Sequence, residues 1–348
     1  MAFTANVKFS AVTSRRDRLS NAAAGLGVTR VLEALTYRPS LIVVNYHRIA
    51  DADACEYDRG VIDASPEQFD QQIAFLKRTY DVVDLDTARR FADRRTRPRR
   101  PHVLVTFDDG YRDAYDAALP ILKNHGVPAV FFLATGFVGT NRVPWWDQIA
   151  YLVRRTRNRV LALSYPASTR LDCGSLGPEM TIRSLLRMYK NPQVTDTARF
   201  LRSVEEACDI PLPETAEERL FLSWTEAAAL ATAGMSIGSH THRHELLSKL
   251  SEAEQREECA ASRRILFEKL GIAVSAFSYP VGSRESFTAA TKKCLSETGY
   301  EVAFSYYGGV NMGQMDPFNL LRIAVDPMAL PQYRFRMAVA ATLGRQLW

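Results

Sequence analysis

From residue 40 to residue 325, short apolar runs rich in β-branched and aromatic residues alternate with longer stretches of helical period. SLIVVNYH (40–47), DVVDL (81–85), HVLVTF (102–107), PAVFFLA (128–134), MSIGSH (235–240), SAFSYP (275–280), YEVAFSY (300–306) and NLLRIAV (319–325) read as strands. Between them, SPEQFDQQIAFLKRTY (65–80) carries a helix start: Ser65 as N-cap, Pro66 in the first turn and Gln68 completing a capping box. Further helices are expected from about Asp86, over 113–126 ending on Gly126, after Ser223 with Glu226, after Ser251 with Glu254, and over 286–299. Strands that alternate with helices pair in parallel through right-handed crossovers, so the fold is α/β: either an open doubly wound sheet or a (β/α) barrel. The pattern itself does not separate the two.

The rhythm breaks over residues 137–222, where helical stretches such as MTIRSLLRMYK follow one another without the strand alternation. This segment is expected to be a mostly helical insertion packed beside the sheet. The chain then divides into an N-terminal extension (1–38), a catalytic domain (39–330) holding the insertion, and a C-terminal helix (331–348). With 348 residues, 47% of them hydrophobic, it can bury a substantial core and is neither fibrous nor disordered. A net charge of +5 owes much to seven arginines between Arg89 and Arg100, which read as a solvated helix end; no nucleic-acid partner is implied. Five cysteines without CxxC spacing suggest neither a disulfide framework nor a thiolate metal site. No apolar h-region or membrane-length stretch is visible, so a cytoplasmic protein is expected, with peripheral membrane contact through the basic N-terminal segment as the alternative.

Two strand ends carry the chemistry. TFDDG (106–110) places Asp108 and Asp109 side by side where a strand must stop, because side chains on a continuing strand would alternate faces. SHTHRH (239–244) holds three of the six histidines just after another strand, and parallel strands deliver their C-terminal ends to one mouth. Two imidazoles and a carboxylate, with water in the remaining positions, form a zinc-like catalytic site.

TFDDG and His240-Thr241-His242-Arg243-His244, read as H-T-x-x-H, resemble the first two motifs of the polysaccharide deacetylases similar to nodulation protein B, carbohydrate esterase family four. FSYPVG (277–282) is similar to the family's third motif, which ends in Y-P-x-G. The resemblance covers roughly residues 40–325 and implies a distorted (β/α)7 barrel and hydrolysis of an acetyl group from an amino sugar. It implies that Asp109, His240 and His244 hold a divalent metal, zinc foremost with cobalt or nickel as alternatives. Asp108 would be the general base, and Tyr279, Pro280, Val281 and Gly282 would line the substrate, with the Val281 N–H facing the oxyanion.

The chain departs from the commonest family pattern in two places. No histidine follows His244 to act as the late general acid, and Ser278 and Tyr279 stand where an arginine usually holds the catalytic aspartate. A permuted subset of the family resembles LIVVNYH, which makes His47 the expected acid, and Arg322 on the last strand is expected to replace the arginine. Trp146, in PWWDQI, is a candidate for stacking on a sugar ring. The expected substrate is an acetylated amino-sugar polymer, oligosaccharide or glycolipid precursor. Alternatives are deformylation or another linear amide hydrolysis at the same site, and a carbohydrate-binding homologue without turnover.

Overall fold

The computed structural model describes residues 38–344. Both the 1–38 extension, apart from its last residue, and the final residues of the expected C-terminal helix lie outside the described residues; the helix itself runs Leu330–Leu343. Among the described residues are twelve strands: β1 (Ser40–Tyr46), β2 (Arg48–Ile49), β3 (Ile62–Ala64), β4 (Asp81–Val82), β5 (Pro101–Phe107), β6 (Ala129–Leu133), β7 (Val160–Leu163), β8 (Thr169–Asp172), β9 (Ser236–Ser239), β10 (Ala276–Ser278), β11 (Val302–Phe304) and β12 (Ile323–Ala324). The main sheet is parallel and ordered β11-β10-β9-β6-β5-β1-β12, with β4 beside the start of β5.

This sheet curls until its ends meet. Leu320 donates its N–H to the Ala303 carbonyl and accepts from Ser305, each at 2.9 Å, and three residues later Ile323 pairs with Val44 of β1. A ring of seven strands results, which resolves the choice between open sheet and barrel in favour of a distorted (β/α)7 barrel.

Strand alternation then sorts the side chains. Leu41, Val43, Leu104, Val130, Phe132, Ala276, Val302, Phe304 and Leu320 form one apolar cluster within the ring. Ile42, Val44, Val105, Phe107, Phe131, Phe277 and Ala303 pack outward against the helices. Along several strands the interior column turns polar at the C-terminal end: Asn45 follows Leu41 and Val43, Asp108 follows Leu104 and Thr106, Ser278 follows Ala276, and Arg322 follows Leu320. All of these polar side chains are buried.

Capping boxes at Ser65, Ser223 and Ser251 start helices Pro66–Thr79, Trp224–Thr232 and Glu252–Leu270, as the sequence predicts. The helix expected over 113–126 begins as a π turn, Ala114–Ala118, before continuing as Leu119–His125 to a left-handed Gly126. Several strands are shorter than expected: 81–85 reduces to β4, with Asp84 capping the helix Leu85–Ala92, and 275–280, 300–306 and 319–325 reduce to β10, β11 and β12. The 137–222 insertion is not helical throughout. Besides Trp145–Arg155, Cys173–Lys190 and Thr197–Cys208 it contains an antiparallel hairpin, β7 with β8, and it packs a hydrophobic core of its own that reaches the barrel rim through Tyr111, Ala134 and Leu246. Among the described residues no helix is long and apolar enough to cross a membrane, and all five cysteines are free.

Candidate metal centre and active site

Strand β5 ends at Phe107, and the chain turns sharply: Asp109 has φ +70° and Gly110 φ +84°. The turn frees the two neighbouring carboxylates from strand alternation. Asp108 continues the interior column, while Asp109 faces the loop after β9. That loop is itself strained, with Thr241 at φ +66° and His244 at φ +58°, and the lip after β10 holds Val281 at φ +64°. Non-glycine residues in this region cost about 1–3 kcal/mol each, and here they gather around one mouth.

Asp109 Oδ1 lies 3.3 Å from Nε2 of both His240 and His244, and one ligand atom from each of the three residues falls within 4.8 Å of the others. All three are buried, and Asp109 Oδ1 has no hydrogen-bond partner. His240 Nδ1 donates to the Ser278 carbonyl at 2.8 Å, which turns Nε2 toward the carboxylate. A carboxylate oxygen and two imidazole nitrogens gathered this closely in a buried cluster are three ligand atoms aimed at one point, so the donor set fits a divalent metal. Burial alone would push the Asp109 carboxyl up, yet the two imidazoles hold it well below its ordinary value; burial also lowers His244. An ionised carboxylate and a neutral imidazole are the forms a metal binds.

Asp108 is held on all sides. Arg322, fully buried, donates to both carboxylate oxygens at 2.8 and 2.7 Å; Ser278 Oγ and Asn45 Nδ2 donate to Oδ2 at 3.1 and 3.3 Å. Burial would raise the Asp108 pKa, and the Arg322 guanidinium, then His240, outweigh it and keep the carboxyl ionised below its usual range. Arg322 also donates to Ser278 Oγ at 2.9 Å, so the three side chains form one buried cluster.

His47 stands one residue beyond β1, near the same mouth. Its backbone N–H and Nδ1 both meet Asp63 Oδ2, at 2.5 and 3.1 Å. Burial would lower its pKa, but Asp63 reverses this and, with Asp109 and Asp108 adding, pushes it up to about 9. Asp63 is itself pushed up to about 6 by burial, against the pull of His47. Asp63 escapes sequence reasoning because it sits in β3, a three-residue strand too short to register, paired with the two residues of β2 that follow His47. Asn45, which the motifs do not single out, precedes His47 by two and points into the barrel interior near the end of β1.

Two expected substrate residues take other places. The ring of Tyr279 is buried, stacks on Phe287 at 3.9 Å and donates its hydroxyl to the Phe318 carbonyl, so its side chain is core. Trp146 is only 4% exposed; its Nε1 donates to the Tyr111 hydroxyl at 2.6 Å and its ring lies 4.5 Å from that of His244. It is a wall behind a metal-ligand candidate rather than an open sugar platform, because the insertion's own core covers it. Gly282 at φ +63° is required where it stands, since a Cβ there would meet Tyr306 at 2.6 Å, while Pro280 and Val281 form the lip between.

Residues 95–303 match the family model for polysaccharide deacetylase. A Staphylococcus aureus poly-beta-1,6-N-acetyl-D-glucosamine N-deacetylase is 31% identical over 122 residues, a stretch covering 32% of this chain and 41% of that protein. Among solved structures, IcaB from Ammonifex degensii superposes with a TM-score of 0.56 at 20% identity, covering 88% of this chain and 98% of that one. The Streptococcus pyogenes deacetylase PplD, in complex with acetate, gives 0.55 at 18% identity, covering 85% and 96%. These two likenesses concern the fold.

Proposed function

The chain belongs to the polysaccharide deacetylase family, and from that premise we propose that it removes N-acetyl groups from an amino-sugar polymer, with N-acetylglucosamine chains as the first substrate to try. The observation that carries this reading is the pairing of two buried carboxylates in different settings at one barrel mouth: Asp109 against two imidazoles, Asp108 clamped by Arg322. When bound by Asp109, His240 and His244, a divalent cation, zinc foremost, supplies Lewis acidity that polarises the acyl carbonyl and makes water easier to deprotonate.

The protein's own groups carry the protons. Asp108, kept ionised by Arg322, accepts a proton from the attacking water. Arg322, Ser278 and Asn45 fix its orientation, so little reorganisation is left for the transition state. The Val281 N–H is assigned to the developing oxyanion. His47 then protonates the leaving amine: Asp63 occupies Nδ1 and leaves Nε2 as the donor, and a pKa near 9 keeps the ring protonated at neutral pH. The nearness of both His47 and Arg322 to the site argues against a homologue that only binds sugar.

The test is acetate release from a panel of N- and O-acetylated and N-formylated saccharides with zinc, cobalt or chelator. Asp108→Asn is expected to lower turnover by about 10²–10⁴-fold with metal content unchanged. Unaltered turnover in that variant would remove Asp108 as the base, and formate without acetate would transfer the site to deformylation.

A further inference from the structure

The two histidines of the metal centre are not supported alike. His240 is anchored through Nδ1 to the Ser278 carbonyl, but His244 Nδ1 is buried with no hydrogen-bond partner, and its ring is flanked by the face of Trp146 at 4.5 Å and a 58° tilt. A metal-binding imidazole is ordinarily aimed by a hydrogen bond on its far nitrogen. His244 therefore takes its aim from its own backbone, which is in the left-handed region, as is Thr241 three residues earlier. Within the turn Thr241 Oγ1 accepts the His244 N–H at 3.0 Å, and the N–H groups of the two residues between need partners that hold them from outside.

We propose that Glu258 is the positioning residue that supplies this hold. It lies on the helix Glu252–Leu270, is 2% exposed, and aims its carboxylate at the two residues between the strained positions. Oε2 accepts the backbone N–H of His242 at 3.0 Å and of Arg243 at 2.7 Å, while Oε1 accepts Arg243 Nε at 2.5 Å. From the opposite side, Thr135 and Gly136 donate their N–H groups to the carbonyls of Thr241 and His242, and Gly136 has no room for a Cβ, which would meet the His242 oxygen at 2.6 Å. Both edges of the turn are thus satisfied, one by a fixed loop and the other by a single buried anion. Charge-assisted bonds to a carboxylate are among the stronger hydrogen bonds, and removing them would release the turn that points His244 at Asp109. Its carboxylate meets His242 and Arg243 rather than the ligand residues, so it acts through the loop.

This inference rests on the metal-centre reading above, and the experiment separates the two. Cobalt(II) affinity is measured by competition with a chromophoric chelator, together with the visible cobalt bands that report ligand geometry, for the wild type, Glu258→Ala, Glu258→Met and Glu258→Gln. The Ala and Met variants are expected to bind cobalt about 10–100-fold more weakly, with altered bands. Met keeps the buried volume, so it carries the test if the Ala variant fails to fold. Gln retains one oxygen able to accept both backbone N–H groups but loses the charge and sets its NH2 against Arg243 Nε, so it is expected to recover part of the affinity. Wild-type affinity and bands in folded Ala or Met protein would overturn the assignment, as would a Gln variant no better than Met. A wild-type protein that binds no cobalt would overturn the metal-centre reading and this inference with it.

Discussion

Asp108 and Asp109 differ by one position and do opposite things, because the backbone reverses hand between them and sends one carboxylate to an arginine and the other to two imidazoles. Two consequences belong to this scale. Arg322 is fully buried against Asp108, so Arg322→Met leaves an uncompensated buried carboxylate and is expected to cost about 3–5 kcal/mol in denaturant unfolding, as well as most of the turnover. His47 has its folded pKa raised, so its protonated form, and the stability that form contributes, is fully present below about 6.5 and is lost as pH rises through about 9. In metal-free protein His47 is therefore expected to titrate near that value by NMR, and in the metal-loaded enzyme, where the cation's charge lowers it, to set an alkaline limb of kcat/KM below it. Asp63→Asn removes the main partner that raises it and leaves burial, which lowers it, so the limb moves to lower pH; an unmoved limb in pH–rate profiles would take the general-acid role from His47.

At the scale of elements, the barrel interior depends on one small residue. A Cβ at Gly238 in β9 would lie 2.4 Å from the Phe132 ring, so Gly238→Ala is expected to destabilise by about 1–3 kcal/mol in thermal or urea unfolding and to disturb His240 two residues on. Ser251→Ala removes the capping box of the helix that carries Glu258, and a loss of about 1 kcal/mol with little change in turnover is expected from the same measurements. The helices and long strands were legible because caps and alternation are local: Ser65, Ser223 and Ser251 each hydrogen-bond within their own first turn. β2, β3 and the β7–β8 hairpin were not, since two to four residues are too few to show a period and owe their conformation to the strand opposite. Asp63 was missed with them.

For the molecule as a whole, the metal centre joins the ends of β5 and β9, two strands that are not neighbours because β6 lies between them. A chelator is expected to abolish turnover and lower the Tm without unfolding the protein; saturating zinc restores both, adding about 2.7 kcal/mol at a hundred times its Kd. Collapse of the circular-dichroism signal on chelation would mean instead that the ion holds the barrel together. By itself, the sequence determined the α/β alternation and the two motif-bearing strand ends, because each is a short-range pattern of residue type and spacing; which of the two carboxylates faces the imidazoles came only from the family resemblance. Closure of the ring, the meeting of Arg322 with Asp108 across 214 positions, the pairing of His47 with Asp63, and the burial of Tyr279 and Trp146 were decided only by tertiary structure. Which side chains meet across a barrel depends on strand register and loop path, and neither is written in any local stretch of chain.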